Sequence, residues 1–416
     1  MSTAWRKMTL GTCVTFLSGG TPSKSKPDYW NGDIPWVSSG EMTQERIQDT
    51  SLHITEDAAR HGSRLVPAKT VLVVVRGMSL AKEFRISITQ RAMTFNQDIK
   101  ALRCEPDIAP LFLFYALRHN RHDIREHATE ASHGTKKLET AVLSEFMLDI
   151  PDMIAQRRIA DILSAYDDLI ENNRRRMALL EEAARMIYRE WFVRLRFPGH
   201  ETARIVDGVP EGWEKRIIKD IGQVVTGKTP STTIPENYGG SIPFVKTPDM
   251  HGNVFVTDTS ATLSQRGGDT QKNKYITPGS IMVSCIGTIG VVSIASERCQ
   301  TNQQINSLVP LHVSNTYYSY YTLKSLKDAM EALGGGATMP NVNKNKFECM
   351  EVLWPTANLR TGFHIVSDPM FQQILNLQKQ NQKLQQARDI LLPKLMSGEI
   401  EVSETADTME RELVTA

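Results

Sequence analysis

The 416-residue sequence contains no long hydrophobic run. Apolar stretches such as Val71–Val75 fall far short of the roughly 20 residues that a membrane span needs. Charge arrives by Arg6, and no apolar core leads to a small-residue cleavage site, so no secretory signal is expected. Cysteine is scarce. Cys13, Cys104, Cys285, Cys299 and Cys349 leave one odd and form no C-x-x-C pair. Free thiols in a reducing, cytoplasmic setting are expected. Charge of one sign is also missing: 48 basic and 47 acidic residues give a net +1. That excludes a globally basic binder of nucleic acid, although a local patch can still meet phosphate.

Catalytic signatures are absent too. There is no N-P-P-Y/F or F-x-G-x-G pattern of an adenine methyltransferase and no convincing P-D…E-x-K nuclease set. His119, His122 and His127 lie on a predicted helix without forming a tidy metal face, which favours a surface cluster. Gly222–Thr229 matches the G-x-x-x-x-G-K-[ST] phosphate loop. That loop needs a helix behind it, and Pro230 and Pro235 forbid one. No catalytic residue and no metal ligand is assigned.

What the sequence does contain is a repeat. Trp5 and Trp213 stand 208 residues apart. At the same offset Leu17-Ser18-Gly19-Gly20-Thr21-Pro22-Ser23 falls on Val225-Thr226-Gly227-Lys228-Thr229-Pro230-Ser231, and Ile34-Pro35-Trp36 falls on Ile242-Pro243-Phe244. Further on the offset drifts by a few residues, with Asn96-Gln97 matching Asn302-Gln303. Each copy reads as mixed α and β. Strands are predicted at Val71–Val75, Ile281–Ser284 and Gly290–Ile294, and helices at Leu111–Leu117 and Tyr317–Leu333.

Between the copies the texture changes. Ala155 to Arg194 contains neither Gly nor Pro. Ile159, Tyr166, Asn173, Leu180 and Ile187 recur every seven residues, as do Leu163, Ile170, Met177, Ala184 and Trp191. This is the seam of a coiled coil. Phe197-Pro198-Gly199 is expected to stop the helix. A shorter seam follows the second copy, with Met370, Leu377, Leu384 and Leu391 in one series and Ile374, Asn381, Arg388 and Leu395 in the other. Gly362 and Pro369 are expected to weaken its start. Asn173 and Asn381 again differ by 208. The two helices are expected to pair antiparallel, with these amides meeting and fixing register.

The expected fold is therefore α+β: two similar α/β heads and two long antiparallel helices in a pseudo-twofold repeat. The expected segments are 1–150, 151–200, 201–355 and 356–416, the last with an acidic tail from Glu399 to Glu412. Two similar heads on a rigid spacer suit a ligand with two recognition elements, and DNA half-sites have that geometry. Loops of the first head offer Thr21, Ser23, Lys24, Lys26, Arg76, Lys82, Arg85, Lys136 and Lys137. Those of the second offer Lys228, Thr229, Lys246, Lys272, Lys274, Asn302, Gln303, Lys344 and Lys346. Lysine and arginine neutralise phosphates, and arginines and amides can read base edges. The matched Asn-Gln pairs can equally serve loop structure.

Three stretches resemble the specificity subunit of type I restriction–modification enzymes. One runs from Gly19-x-Thr21-Pro22-Ser23 to Tyr29-Trp30-Asn31-Gly32-Asp33-Ile34-Pro35-Trp36-Val37. Another runs from Ile150-Pro151 through Gln156-Arg157-Arg158-Ile159-Ala160 to Arg189-Glu190-Trp191-Phe192-Val193-Arg194. The last is Arg388-Asp389-Ile390-Leu391-Leu392-Pro393-Lys394-Leu395-Met396-Ser397-Gly398-Glu399-Ile400. The second copy departs from the pattern, with Asn358-Leu359-Arg360-Thr361 where a match to Gln156-Arg157-Arg158-Ile159 is due. The resemblance implies a non-catalytic subunit whose two target recognition domains read a split, asymmetric double-stranded DNA sequence. It implies helices that dock two methyltransferase subunits and, through them, restriction and translocase subunits. S-adenosylmethionine, ATP and Mg2+ would belong to those partners, with no cofactor in this chain and no membrane. Rival readings are the recognition subunit of a fused cut-and-modify enzyme, a nuclease or ATPase resting on Gly222–Thr229, and a scaffold that ignores DNA.

Overall fold

In the computed structural model, which describes residues 5–131, 135–206, 208–335 and 340–402, the repeat of sequence becomes a repeat of folds. The chain divides into two compact units, Met1–Asp168 with Leu384–Ala416, and Leu169–Lys383. Each holds one head and part of each long helix. The residues of the expected acidic tail beyond Val402 lie outside the described residues.

The head of the first unit is built on a five-stranded sheet in the order Val14–Ser18, Ile99–Cys104, Val71–Val74, Ile86–Thr89 and Arg46–Ile47. The head of the second repeats that order with Gly222–Thr226, Ile305–Pro310, Ile281–Ser284, Val292–Ala295 and Phe255–Val256. In both, every pairing is antiparallel except that of the last, edge strand. The central strands are buried along their whole length, which explains why they read as continuous β-branched runs rather than alternating ones. A helix lies against each sheet, Pro110–His119 in the first head and Thr316–Ser325 in the second.

Several boundaries move from their expected places. The strand expected at Gly290–Ile294 occupies Val292–Ala295, because Gly290 adopts φ +82° in the turn before it. The helix expected over Tyr317–Leu333 is two helices, Thr316–Ser325 and Lys327–Gly334, broken at Leu326. The central helix runs Met153–Tyr188 and continues as a single π turn over Arg189–Val193. It stops before Phe197-Pro198-Gly199, where Leu195 turns to φ +58°.

The clearest correction concerns the second long helix. It runs unbroken over Ala357–Met396, through Gly362, Pro369 and Pro393. Both prolines are exposed, while Phe363, Phe371 and Ile374 are buried. Packing on that buried face outweighs the local penalty, which is how tertiary context overrides propensity.

The departure at Arg360 has the same resolution. In the first unit, buried Gln156 ties the helix start to its head. Its Nε2 donates to the carbonyls of Pro151 and Asp107 at 3.0 Å each, and its Oε1 accepts from Ala109 N at 2.9 Å. In the second unit Arg360 donates to the carbonyl of Pro355 and, at 2.9 Å, to Asn315 Oδ1. A different side chain makes the same tie.

Within each unit the helix parts pair antiparallel. In the second unit Asn173 Nδ2 donates to Asn381 Oδ1 at 2.9 Å, and Asn381 Nδ2 to the carbonyl of Ile170 at 3.1 Å. Further up, Phe192 meets Phe363 with ring centroids 5.3 Å apart, so residue numbers rise on one helix as they fall on the other. In the first unit Asp167 sits against Arg388, and Arg158 reaches the carbonyl of Val402. Asp167 accepts from Tyr115 at 2.6 Å and from Arg388, and Arg118 lies between Glu45 and Asp389. Burial pushes the Glu45 carboxyl up despite the Arg118 charge beside it. In the second unit Tyr188, Phe192, Tyr318, Tyr321 and Phe363 pack together, and Glu181 accepts from Tyr320 at 2.9 Å and pairs with Lys324.

Candidate nucleic-acid interface

In each head three loops converge at one end of the five-stranded sheet. The first carries the Gly-x-Thr-Pro-Ser motif. Gly19 passes so close over the first head's next turn that a Cβ would stand 2.2 Å from the carbonyl oxygen of Phe95. Gly227 passes likewise, 2.1 Å from that of Asn302. Only glycine fits either place. The loop backbone is then fixed by Gly20 N to Phe95 O and by Lys228 N to Thr301 O, both 2.9 Å.

The second loop is the Asn-Gln turn. Asn96 Oδ1 accepts from Asp98 N at 3.1 Å, and Asn302 Oδ1 from Gln304 N at 3.2 Å. Both asparagines are buried, 6% and 8% exposed, and each shapes its own turn. Asn302 therefore acts here as a turn former, not as a free amide. The glutamine beside it is exposed and binds the first loop. Thr21 Oγ1 donates to Gln97 Oε1 at 2.7 Å, and Thr229 makes the same bond to Gln303. Ser23 and Ser231 close the loop tips by bonding Ser25 and Thr233.

The third loop follows the central strand. In the first head Arg76–Gly77 pairs with Lys136–Lys137, which pairs with Thr129–Glu130. Arg76, Lys136 and Lys137, distant in sequence, thus meet on one small ribbon. Its base is locked by Leu138 N to Val75 O at 2.8 Å, and Arg76 N reaches the carbonyl of Asp98 in the Asn-Gln turn. The second head keeps the frame without the charge. Val342 N donates to Cys285 O at 2.8 Å, and Ile286 bridges Asn341.

A fourth segment braces this end. Ser38 and Lys246 begin matched turns, closed by Glu41 and Asp249, which accept from their backbone N–H groups at 3.2 and 2.8 Å. Burial pushes the Glu41 carboxyl up. Hydrogen bonds from Ser51 N and Oγ and from Ser38 N and Oγ outweigh it and hold the group below the usual range.

The other expected binding residues scatter. Lys24 is exposed on the first loop, and Lys26 folds back onto Tyr29 OH at 3.1 Å. Lys82 is exposed beside the ribbon, while Arg85 is tied to Glu83 and to the carbonyls of Ser39 and Gly40. Lys228 is exposed on the loop of the second head. Lys272 and Lys274 lie on a short turn by Asp269. Lys344 pairs with Glu348, and Lys346 bonds the carbonyl of Leu333. The phosphate-loop match resolves into the strand Gly222–Thr226 followed by a loop, with only a three-residue turn at Pro235–Asn237 beyond it. Among the described residues no group of three His, Cys, Asp or Glu side chains could hold a metal ion. Nor is any described helix long and apolar enough to cross a membrane.

Of the helix residues, Ile159, Ile170, Asn173, Leu377 and Asn381 are buried and hold the pairs together. Tyr166, Met177, Leu180, Trp191, Leu384 and Leu391 are half-buried. Sequence reading overlooked Met78 and the glycine before it. Arg76-Gly77-Met78 and Ile286-Gly287-Thr288 match at an offset of 210, but that match marks the shared glycine and not Met78.

With this geometry in place, comparison with known proteins is specific. The family model described as the type I restriction modification DNA specificity domain matches residues 3–182 and 210–358. The specificity subunit of the type I restriction enzyme HindI of Haemophilus influenzae is 33% identical, over 95% of this chain and 99% of that protein. That of MjaIX from Methanocaldococcus jannaschii is 27% identical, over 93% and 91%. The fold resembles the crystal structure of the S subunit of a type I restriction–modification system from M. genitalium, with a TM-score of 0.61 and 15% identity over 94% of this chain and 96% of that one.

Proposed function

The chain belongs to the type I restriction modification DNA specificity family, and on that premise we propose that each head reads its half of a split DNA target through the loop-bearing end of its five-stranded sheet. As a specificity subunit it selects the site and performs no catalysis, and its partners are DNA and the methyltransferase and restriction subunits of a type I complex. Two methyltransferase subunits would dock on the helix pairs. S-adenosylmethionine, ATP and Mg2+ would be held by the partners, in the cytoplasm where the DNA is.

One observation carries the assignment of the face. The Gly-x-Thr-Pro-Ser loop, the Asn-Gln turn and the strand-end loop converge in both heads; the first two are built alike, while the third presents Arg76, Lys136 and Lys137 in one head and Ile286 and Asn341 in the other. A shared frame with unlike surfaces suits two unlike half-sites. In the first head the ribbon brings Arg76, Lys136 and Lys137 together, and such a cluster suits the phosphate backbone. Exposed Gln97 and Gln303, steadied by Thr21 and Thr229, are placed to meet base edges.

The test is salt-dependent binding by the chain with its methyltransferase. Replacing Lys136 and Lys137 by Ala should weaken binding to every DNA sequence and lower the slope of log affinity against log salt by roughly two. Unchanged affinity and slope would remove the ribbon from the interface.

A further inference from the structure

Met78 stands on the ribbon end of the first head and is 76% exposed. Its backbone is held on both sides. Before it, Arg76–Gly77 pairs with Lys137 and Lys136, and Gly77 turns the chain at φ +141°. After it, the turn Met78–Ala81 packs on the ribbon and is anchored by fully buried Leu80. Lys82 N and Glu83 N both close onto the carbonyl of Ser79, at 2.9 and 2.8 Å. The fold thus presents an apolar side chain to water on a fixed base, beside a ribbon that carries Arg76, Lys136 and Lys137, the last paired with Glu139.

A ligand that fits this surface has an anionic rim around a small apolar spot. Duplex DNA has both. Phosphates line the groove, and the thymine methyl is the apolar group on the base edges of the major groove. The groove also admits a β-ribbon. We propose that Met78 contacts a thymine methyl in the half-site read by the first head, and so helps set its sequence. This rests on the assignment of the loop-bearing end as the DNA face. The second head supports a specificity role, because it keeps the glycine (Gly287, φ +76°) but carries Thr288 in place of Met78. The frame is shared, and the reading side chain changes.

The experiment uses the chain with its methyltransferase and duplexes carrying its target. Each thymine of the first head's half-site is replaced in turn by deoxyuridine, which removes only the methyl. The native complex should lose about fourfold in affinity at one such position, the worth of one buried methyl. Met78→Ala should lose a similar factor on the unmodified duplex and become indifferent to that deoxyuridine. Met78→Leu should retain the sensitivity. The salt slope should not change. Native indifference to every deoxyuridine, full sensitivity in Met78→Ala, or a half-site without any A·T pair would each overturn the proposal. If the Lys136 and Lys137 double variant loses affinity while Met78→Ala does not, Met78 alone is misassigned. If both are silent, the face itself is wrong.

Discussion

Single side chains fix the loop-bearing end of each head, and two of them make sharp predictions. A Cβ on Gly227 would enter the backbone of Asn302 and Thr301, neither of which is a flexible side-chain end. Gly227→Ala should therefore destabilise the second unit by roughly 2–3 kcal/mol and weaken recognition of its half-site. Thermal unfolding of the full chain checks the first effect, and an unshifted melting curve would contradict the close approach. Glu41 makes a pH prediction. Its folded carboxyl lies below its ordinary value, so it adds stability above the carboxylate range and loses it as pH falls through the depressed value. Glu41→Gln should melt earlier near neutral pH, by about 1 kcal/mol, and converge with the native protein in acid. A gap that persists at low pH would argue against it. The repeated glycines and Thr-Pro-Ser were visible in the sequence because they recur at one offset. Met78 was not, because its meaning depends on the ribbon that residues some sixty positions later complete.

At the level of elements, the seven-residue period located the helices and the Asn173–Asn381 contact, since a polar residue in an apolar seam needs a partner. The start of the second helix was misjudged. Local propensity condemned Gly362 and Pro369, but Phe363 and Phe371 bury deeply enough to carry the helix through them. Ion pairing across the seam was equally hidden. Arg388 occupied a heptad position, and nothing local tied it to Asp167, Arg118 and Glu45. Arg388→Ala would leave Asp167 buried with Tyr115 and a more distant Arg118 as its remaining partners. Because removing one member of a buried pair strands the other, a loss of about 3–5 kcal/mol is expected. Replacing Arg388 and Asp167 together by apolar residues should recover much of it. If the double variant is no better than the single one, the pair is not what holds that junction.

For the molecule as a whole, duplication explains most of what is legible. Two heads share one topology down to the parallel edge strand, and the same loops converge in each. They differ in the presented chemistry, with a basic ribbon and Met78 in one and Ile286, Thr288 and Asn341 in the other. The account's central claim is that each head reads its own half of a split target. It is tested most directly by producing the chain with its methyltransferase in cells and mapping DNA methylation genome-wide by long-read sequencing. The account predicts a motif of two short, unlike halves around a fixed gap, and predicts that exchanging residues 1–150 for those of a relative alters one half only. A continuous motif, or an exchange that alters both halves at once, would contradict it.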